Sequence, residues 1–154
     1  MQNKTLKKIL NLICAFILTS YYAQCKKLNL LIMIDDEPSL TVSNFHINLP
    51  QFTEKNIYKY VVGTVELDDN FYKDLSSVSS ENINVEFGAI ITDRVSVSRY
   101  SINIPKVYFN QEYIIINIFN LDKKKYRKKF SKFSKNDEYY VIIKSPASMK
   151  FGNQ

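Results

Sequence analysis

Across most of the chain, apolar residues recur at every second position, the period of a β-strand with one face buried. The clearest case sets Ile83, Val85, Phe87, Ala89 and Ile91 against Asn84, Glu86, Gly88 and Thr92. Phe45, Ile47 and Leu49 alternate in the same way with Asn44, His46 and Asn48, and Pro50, which lacks a ladder donor, stops that strand. Leu28 to Ile34 is a continuous apolar run that closes at the turn-like Asp35, Asp36, Glu37, Pro38, Ser39. The stretch from Ile57 to Leu67, rich in Val and Tyr, closes at Asp68, Asp69, Asn70. Past Asp93 and Arg94, Val95 and Val97 lie on one phase and Tyr100, Ile102 and Ile104 on the other, which predicts a bulge or bend near Ser98 and Arg99. Tyr113 to Phe119 is apolar on both faces apart from Asn117, as in a central strand covered on two sides. Glu138 to Lys144 forms a last strand before Pro146.

Turn signals separate these runs at short intervals, so about seven strands are expected in an all-β, single sandwich of immunoglobulin-like or transthyretin-like build. An α+β arrangement of two packed elements is the alternative. The serine-rich stretch Ser76, Ser77, Ser79, Ser80 reads as a solvated connection.

One segment, 122–135, breaks the β period. Asp122 suits a helix start, and Tyr126, Phe130 and Phe133 follow at spacings of four and three, which puts the rings on one helical face. Lys123, Lys124, Lys125, Arg127, Lys128, Lys129, Lys132 and Lys135 occupy the remainder. A short basic helix laid across the sandwich before the last strand is expected.

The amino-terminal pattern is different again. Lys4, Lys7 and Lys8 precede an apolar stretch from Ile9 to Tyr22, about 14 residues, short of the roughly 20 that span a bilayer. With the small Ala23 as a cleavage position, 1–23 reads as a signal peptide and 24–154 as one mature domain, periplasmic or secreted. Cys25 is the candidate lipidation site of an alternative, lipoprotein form, although Gln24 and Tyr22 depart from the residues that usually precede such a cysteine.

Composition narrows the chemistry. Cys25 would be alone in the mature chain, and the sequence has one His, so neither an internal disulfide nor a Cys- and His-built zinc site is expected. Gly63, Gly88 and Gly152 are too far apart for a phosphate-cradling loop. No hydrolase nucleophile motif accompanies His46, which lies on the polar phase of its strand and reads as exposed. Asp35, Asp36, Glu37 and Glu66, Asp68, Asp69, Asn70 carry oxygens suited to calcium without an EF-hand spacing, and turn solvation accounts for them better. Tyr58 and Tyr60 share a strand face, where core packing competes with stacking on sugars.

Charge is the informative property. Removing 1–23 leaves 18 basic against 15 acidic residues, and eight of the 18 fall within 123–135. The rest of the mature chain is therefore 10 against 15, an acidic body carrying a basic patch. Such a patch attracts polyanions, and with its rings it suits an anionic lipid or another envelope polyanion. The competing reading packs the rings on the domain's own core and leaves the lysines solvated. Nucleic acid is disfavoured by export and by the small mature charge. The functional expectation is a non-enzymatic binding or interaction module without a cofactor. The alternatives are a small-ligand carrier with a pocket between the sheets and a carboxylate-based hydrolase.

Overall fold

The apolar run at 28–34 becomes the middle of the sheet. In the computed structural model, which describes residues 26–52, 56–90, 97–130, 132–133, 137–146 and 148–152, it forms β1 (Lys26–Ile34). The segment 1–23, Cys25 and Lys135 lie outside the described residues. Leu28, Leu30, Ile32 and Ile34 of β1 point inward and are buried, while Leu31 and Met33 are half-buried on the outer face.

The later strands are β2 (Glu37–Pro38), β3 (Val42–Asn48), β4 (Asn56–Val61), β5 (Gly63–Leu67), β6 (Asn82–Ile90), β7 (Val97–Pro105), β8 (Ile114–Asn120), β9 (Tyr139–Lys144) and β10 (Met149–Phe151). Helix α1 (Phe71–Ser77) joins β5 to β6, a 3₁₀ turn (Lys106–Asn110) joins β7 to β8, and α2 (Lys124–Phe130) joins β8 to β9. The protein is mostly β, a curled sheet in the order β10-β9-β8-β1-β5-β4-β3-β6-β7, with β2 paired beside β1. Neighbours are antiparallel except β1 and β8, which run parallel with Leu30 opposite Ile114 and Ile34 opposite Ile118. The inner rows of β1 and β8 meet those of β6 and β7 in one core that includes Ile32, Ile116, Val85 and Ile104.

Curling brings the ends of the sheet together, and side chains join them. The Tyr139 hydroxyl on β9 donates to the Ser101 carbonyl of β7 at 2.9 Å and accepts from the Ser101 N–H at 3.1 Å. On β10, the Lys150 ammonium donates to the Asn103 carbonyl at 3.3 Å and to Asn82 Oδ1 at 3.1 Å. These contacts occupy edge groups of β7 that would otherwise invite another strand.

Several sequence expectations are corrected. The 57–67 run is two strands, divided at Gly63, whose φ of 85° suits a two-residue turn. With β2 and β10, both too short for a period to show, the described strands number ten rather than about seven. The bulge lies in β3 between Ser43 and His46, where Asn44 is left-handed (φ 49°). β6 and β7 instead pair in unbroken register through Ser98 and Arg99. The phase change there is Val97 turned to the outer face, seated over Gly88, where a Cβ would come within 2.9 Å of Val97 Cγ1.

Helix α1 also takes in Ser76 and Ser77, expected to lie in a loop. Phe71 and Leu75, four apart, are buried against the core, and Asp68 Oδ1 accepts the Phe71 N–H at 2.9 Å. That bond satisfies a donor at the helix start, a capping role for one of the acids considered for calcium.

Candidate functional site

The outer face of β8 and β9 carries a second hydrophobic cluster, of Phe119, Leu121, Tyr126, Phe130 and Tyr140. Strand alternation puts Ile114, Ile116 and Ile118 in the main core, so Phe119 faces outward, as do Tyr140 and Ile142 of β9. α2 covers these residues. Phe130 stacks on Tyr140 with centroids 4.4 Å apart and lies 4.9 Å from Phe119, and Tyr126 is 5.2 Å from Phe119. A helix of this length does not hold itself together in water, so it exists where its rings find partners. It therefore ends at Phe130, short of the expected Lys135. Phe133 lies beyond it, 6.2 Å from the Tyr140 ring and 73% exposed, while Tyr126 and Phe130 are 3% and 6% exposed.

Two acids after β1 tie the helix down. Asp35 and Asp36 adopt left-handed φ values of 56° and 73°. The Asp35 carboxylate accepts the backbone N–H and the Nδ2 of Asn120, both at 2.9 Å, and pairs with Lys123 at 3.1 Å. Asp36 accepts the Tyr126 hydroxyl at 2.8 Å and the Lys125 ammonium at 3.0 Å. The bonds from Lys125 and then Tyr126 hold the Asp36 carboxyl below its ordinary pKa, and the same bond raises that of Lys125. Burial, then the bond to Asp36, raises the Tyr126 phenol. Acids read from sequence as solvated turn residues or calcium donors thus serve as anchors. Among the described residues, no group of three or more His, Cys, Asp or Glu is placed to hold a metal ion.

The basic segment consequently divides. Lys123 and Lys125 are ion-paired, and Arg127 Nε donates to the Leu121 carbonyl at 2.7 Å. The Lys129 ammonium sits 5.1 Å from the Phe130 centroid and 5.7 Å from that of Phe119, within cation–π range. Lys124, Lys128 and Lys132 are exposed, and the ion pairs of Lys123 with Asp35 and Lys125 with Asp36 are made by their neighbours.

Beside α2 the outer face stays open as a groove of about 760 Å³ lined by Phe130, Phe133, Tyr140, Ile142 and Phe151, with Lys129 in its wall. Phe151 reaches it through β10, which pairs Phe151 with Ile142. Burial against this wall raises the Tyr140 phenol pKa.

A second concavity, about 720 Å³ and more polar, lies where β3, β6 and β7 approach the start of β9. His46, Glu86, Arg99, Ser101 and Tyr139 are among its walls. His46, expected to be exposed, is half-buried opposite Glu86 and Ile57, and its Nδ1 is enclosed without a hydrogen-bond partner among the described residues. Tyr58 and Tyr60 belong to the packed interior: Tyr58 stands edge-on to Phe71 at 5.7 Å and Tyr60 stacks on Phe45 at 6.0 Å.

Sequence periodicity brought out the basic segment and its rings. It missed the groove, because Phe151 and Ile142 meet only through strand pairing and nothing local in the sequence marks that meeting. No family model, curated protein or solved structure matches this chain.

Proposed function

We propose that this is an exported, non-enzymatic binding domain that rests the α2 face on an anionic lipid surface of the envelope, in the periplasm or outside the cell. The observation that carries the reading is Phe133, a large ring 73% exposed between Lys132 and Lys135 in sequence, beside a helix otherwise anchored by its rings. An exposed aromatic among solvated lysines is how a peripheral protein meets lipid, the ring at the acyl boundary and the ammonium groups among phosphates. The opposed halves of the curled sheet, sharing one core, support a sandwich-like scaffold behind this face.

The lipoprotein alternative carries a geometric condition. Cys25 immediately precedes β1, whose far end holds Asp35 and Asp36 against α2. The nine residues of β1 span about 30 Å. An acyl chain on Cys25 and α2 would meet one membrane only with β1 lying along it.

Co-sedimentation with mixed phosphatidylglycerol and phosphatidylcholine vesicles tests the proposal, comparing the native protein with Lys124→Gln, Lys128→Gln, Lys132→Gln combined. At about 1 kcal/mol for each lysine near such a surface, partitioning should fall about a hundredfold at low salt, and native binding should weaken as salt rises. Equal, salt-insensitive binding by both proteins would overturn it.

A further inference from the structure

We infer that the groove beside α2 takes one hydrocarbon chain of an anionic amphiphile, its head group lying by Lys129. The inference rests on the preceding reading of this face and adds a stoichiometric site to it. Three observations converge. First, the cavity, about 760 Å³, falls within the usual range for small-ligand pockets, and its wall is aromatic and aliphatic. Second, two of its rings are unusually accessible, Phe133 at 73% and Phe151 at 55%, so the folded chain leaves apolar surface uncovered there. Third, among the described lining residues the charged one is Lys129, whose ammonium is already drawn over Phe119 and Phe130. An apolar trough with a cation in its wall complements a chain with a negative head and disfavours a cationic one.

The carrier alternative thereby moves from the space between the sheet halves to the outside of the sheet. The inward rows are filled by side chains such as Leu30, Ile32, Ile104 and Ile116, each fully buried.

Laurate below its micellar concentration is the probe, titrated by calorimetry and by methyl NMR. Saturable binding of one laurate per protein is expected, with shifts at the Ile142 methyl and not at Ile32 or Ile104. Acetate should give no binding, and dodecyltrimethylammonium should bind at least tenfold more weakly than laurate. Phe133→Ala combined with Phe151→Ala should weaken laurate at least tenfold. Both are surface positions, so the fold is expected to survive, and retention of the Ile32 and Ile104 signals checks that it does. Absence of saturable laurate binding, equal affinity of native and double-variant proteins, or shifts centred on Ile32 and Ile104 would each overturn the inference. The lysine variants in the vesicle test leave Lys129 and both rings intact. Loss of vesicle binding there with no laurate site here would sink the groove and keep the surface reading.

Discussion

Replacing Phe130 by Ala should release α2 without unfolding the sheet. Phe130 is 6% exposed and contributes two ring contacts, to Tyr140 at 4.4 Å and to Phe119 at 4.9 Å. Burying a Phe side chain is worth about 1.5–3 kcal/mol, and favourable ring pairs add about 0.5–1.5 kcal/mol. Together these make about 2–4.5 kcal/mol, a large share of what can dock a two-turn helix that has little stability of its own. The cluster it joins lies on the far side of β8 and β9 from the main core, so the damage should stay local. Native-state hydrogen exchange reads this directly. The amides of Arg127 to Phe130 should exchange about 30- to 2000-fold faster, while those of Ile32, Ile116 and Ile118 change little. If the β8 amides accelerate in step with α2, the helix is not a separate cooperative unit. If the α2 amides are unmoved, the rings do not anchor it.

Other contacts carry their own expected outcomes. Because the folded state holds the Asp36 carboxyl below its ordinary pKa of 3.8, its stabilisation of α2 is present above that pH and lost as pH falls through the lowered value. Exchange of the Tyr126 amide tracked from pH 5 downward should show this loss in the native protein and not in Asp36→Asn. Burial, aided by Asp68, pushes the Tyr58 phenol up to about 12, so the folded state keeps a proton that the unfolded chain releases near 10. Denaturant unfolding should therefore show stability falling between those pH values, with a flatter profile in Tyr58→Phe. Gly88→Ala would place a Cβ 2.8 Å from Ser43 Oγ and 2.9 Å from Val97 Cγ1, costing about 1–3 kcal/mol by denaturation, with partial recovery on adding Val97→Ala. Tyr139→Phe removes the hydroxyl that bridges β9 to β7, and should cost about 1 kcal/mol and speed exchange of the Ser101 amide.

The parts of the fold legible in sequence are those set by local period. Ile83 to Ala89 alternates because one face of β6 is core, and the outward face of β8 ends in the apolar Phe119 because α2 covers that residue. The division at Gly63 was marked by the single glycine of that run, yet the Val- and Tyr-rich flanks hid it. α1 is too short for a period, and its signal is no more than Phe71 and Leu75 four apart behind Asp68.

Local period cannot carry strand order, and strand order decides the site. Because β1 and β8 are parallel, with Ile34 beside Ile118, the chain leaves both strands at the same end of the sheet. It leaves β1 through the turn of Asp35 and Asp36, and it leaves β8 into the basic segment. The two meet, and Lys123, Lys125 and Tyr126 are consumed in fastening the helix. A charge count along the chain treats those two lysines and the solvated Lys124, Lys128 and Lys132 as equals. An antiparallel partnership of β1 and β8 would have sent the acidic turn to the other end of the sheet, leaving Lys123 and Lys125 without these carboxylates. The helix so fastened puts Phe130 over Tyr140 and stops short of Phe151, which β10 brings beside Ile142, and the groove opens between them.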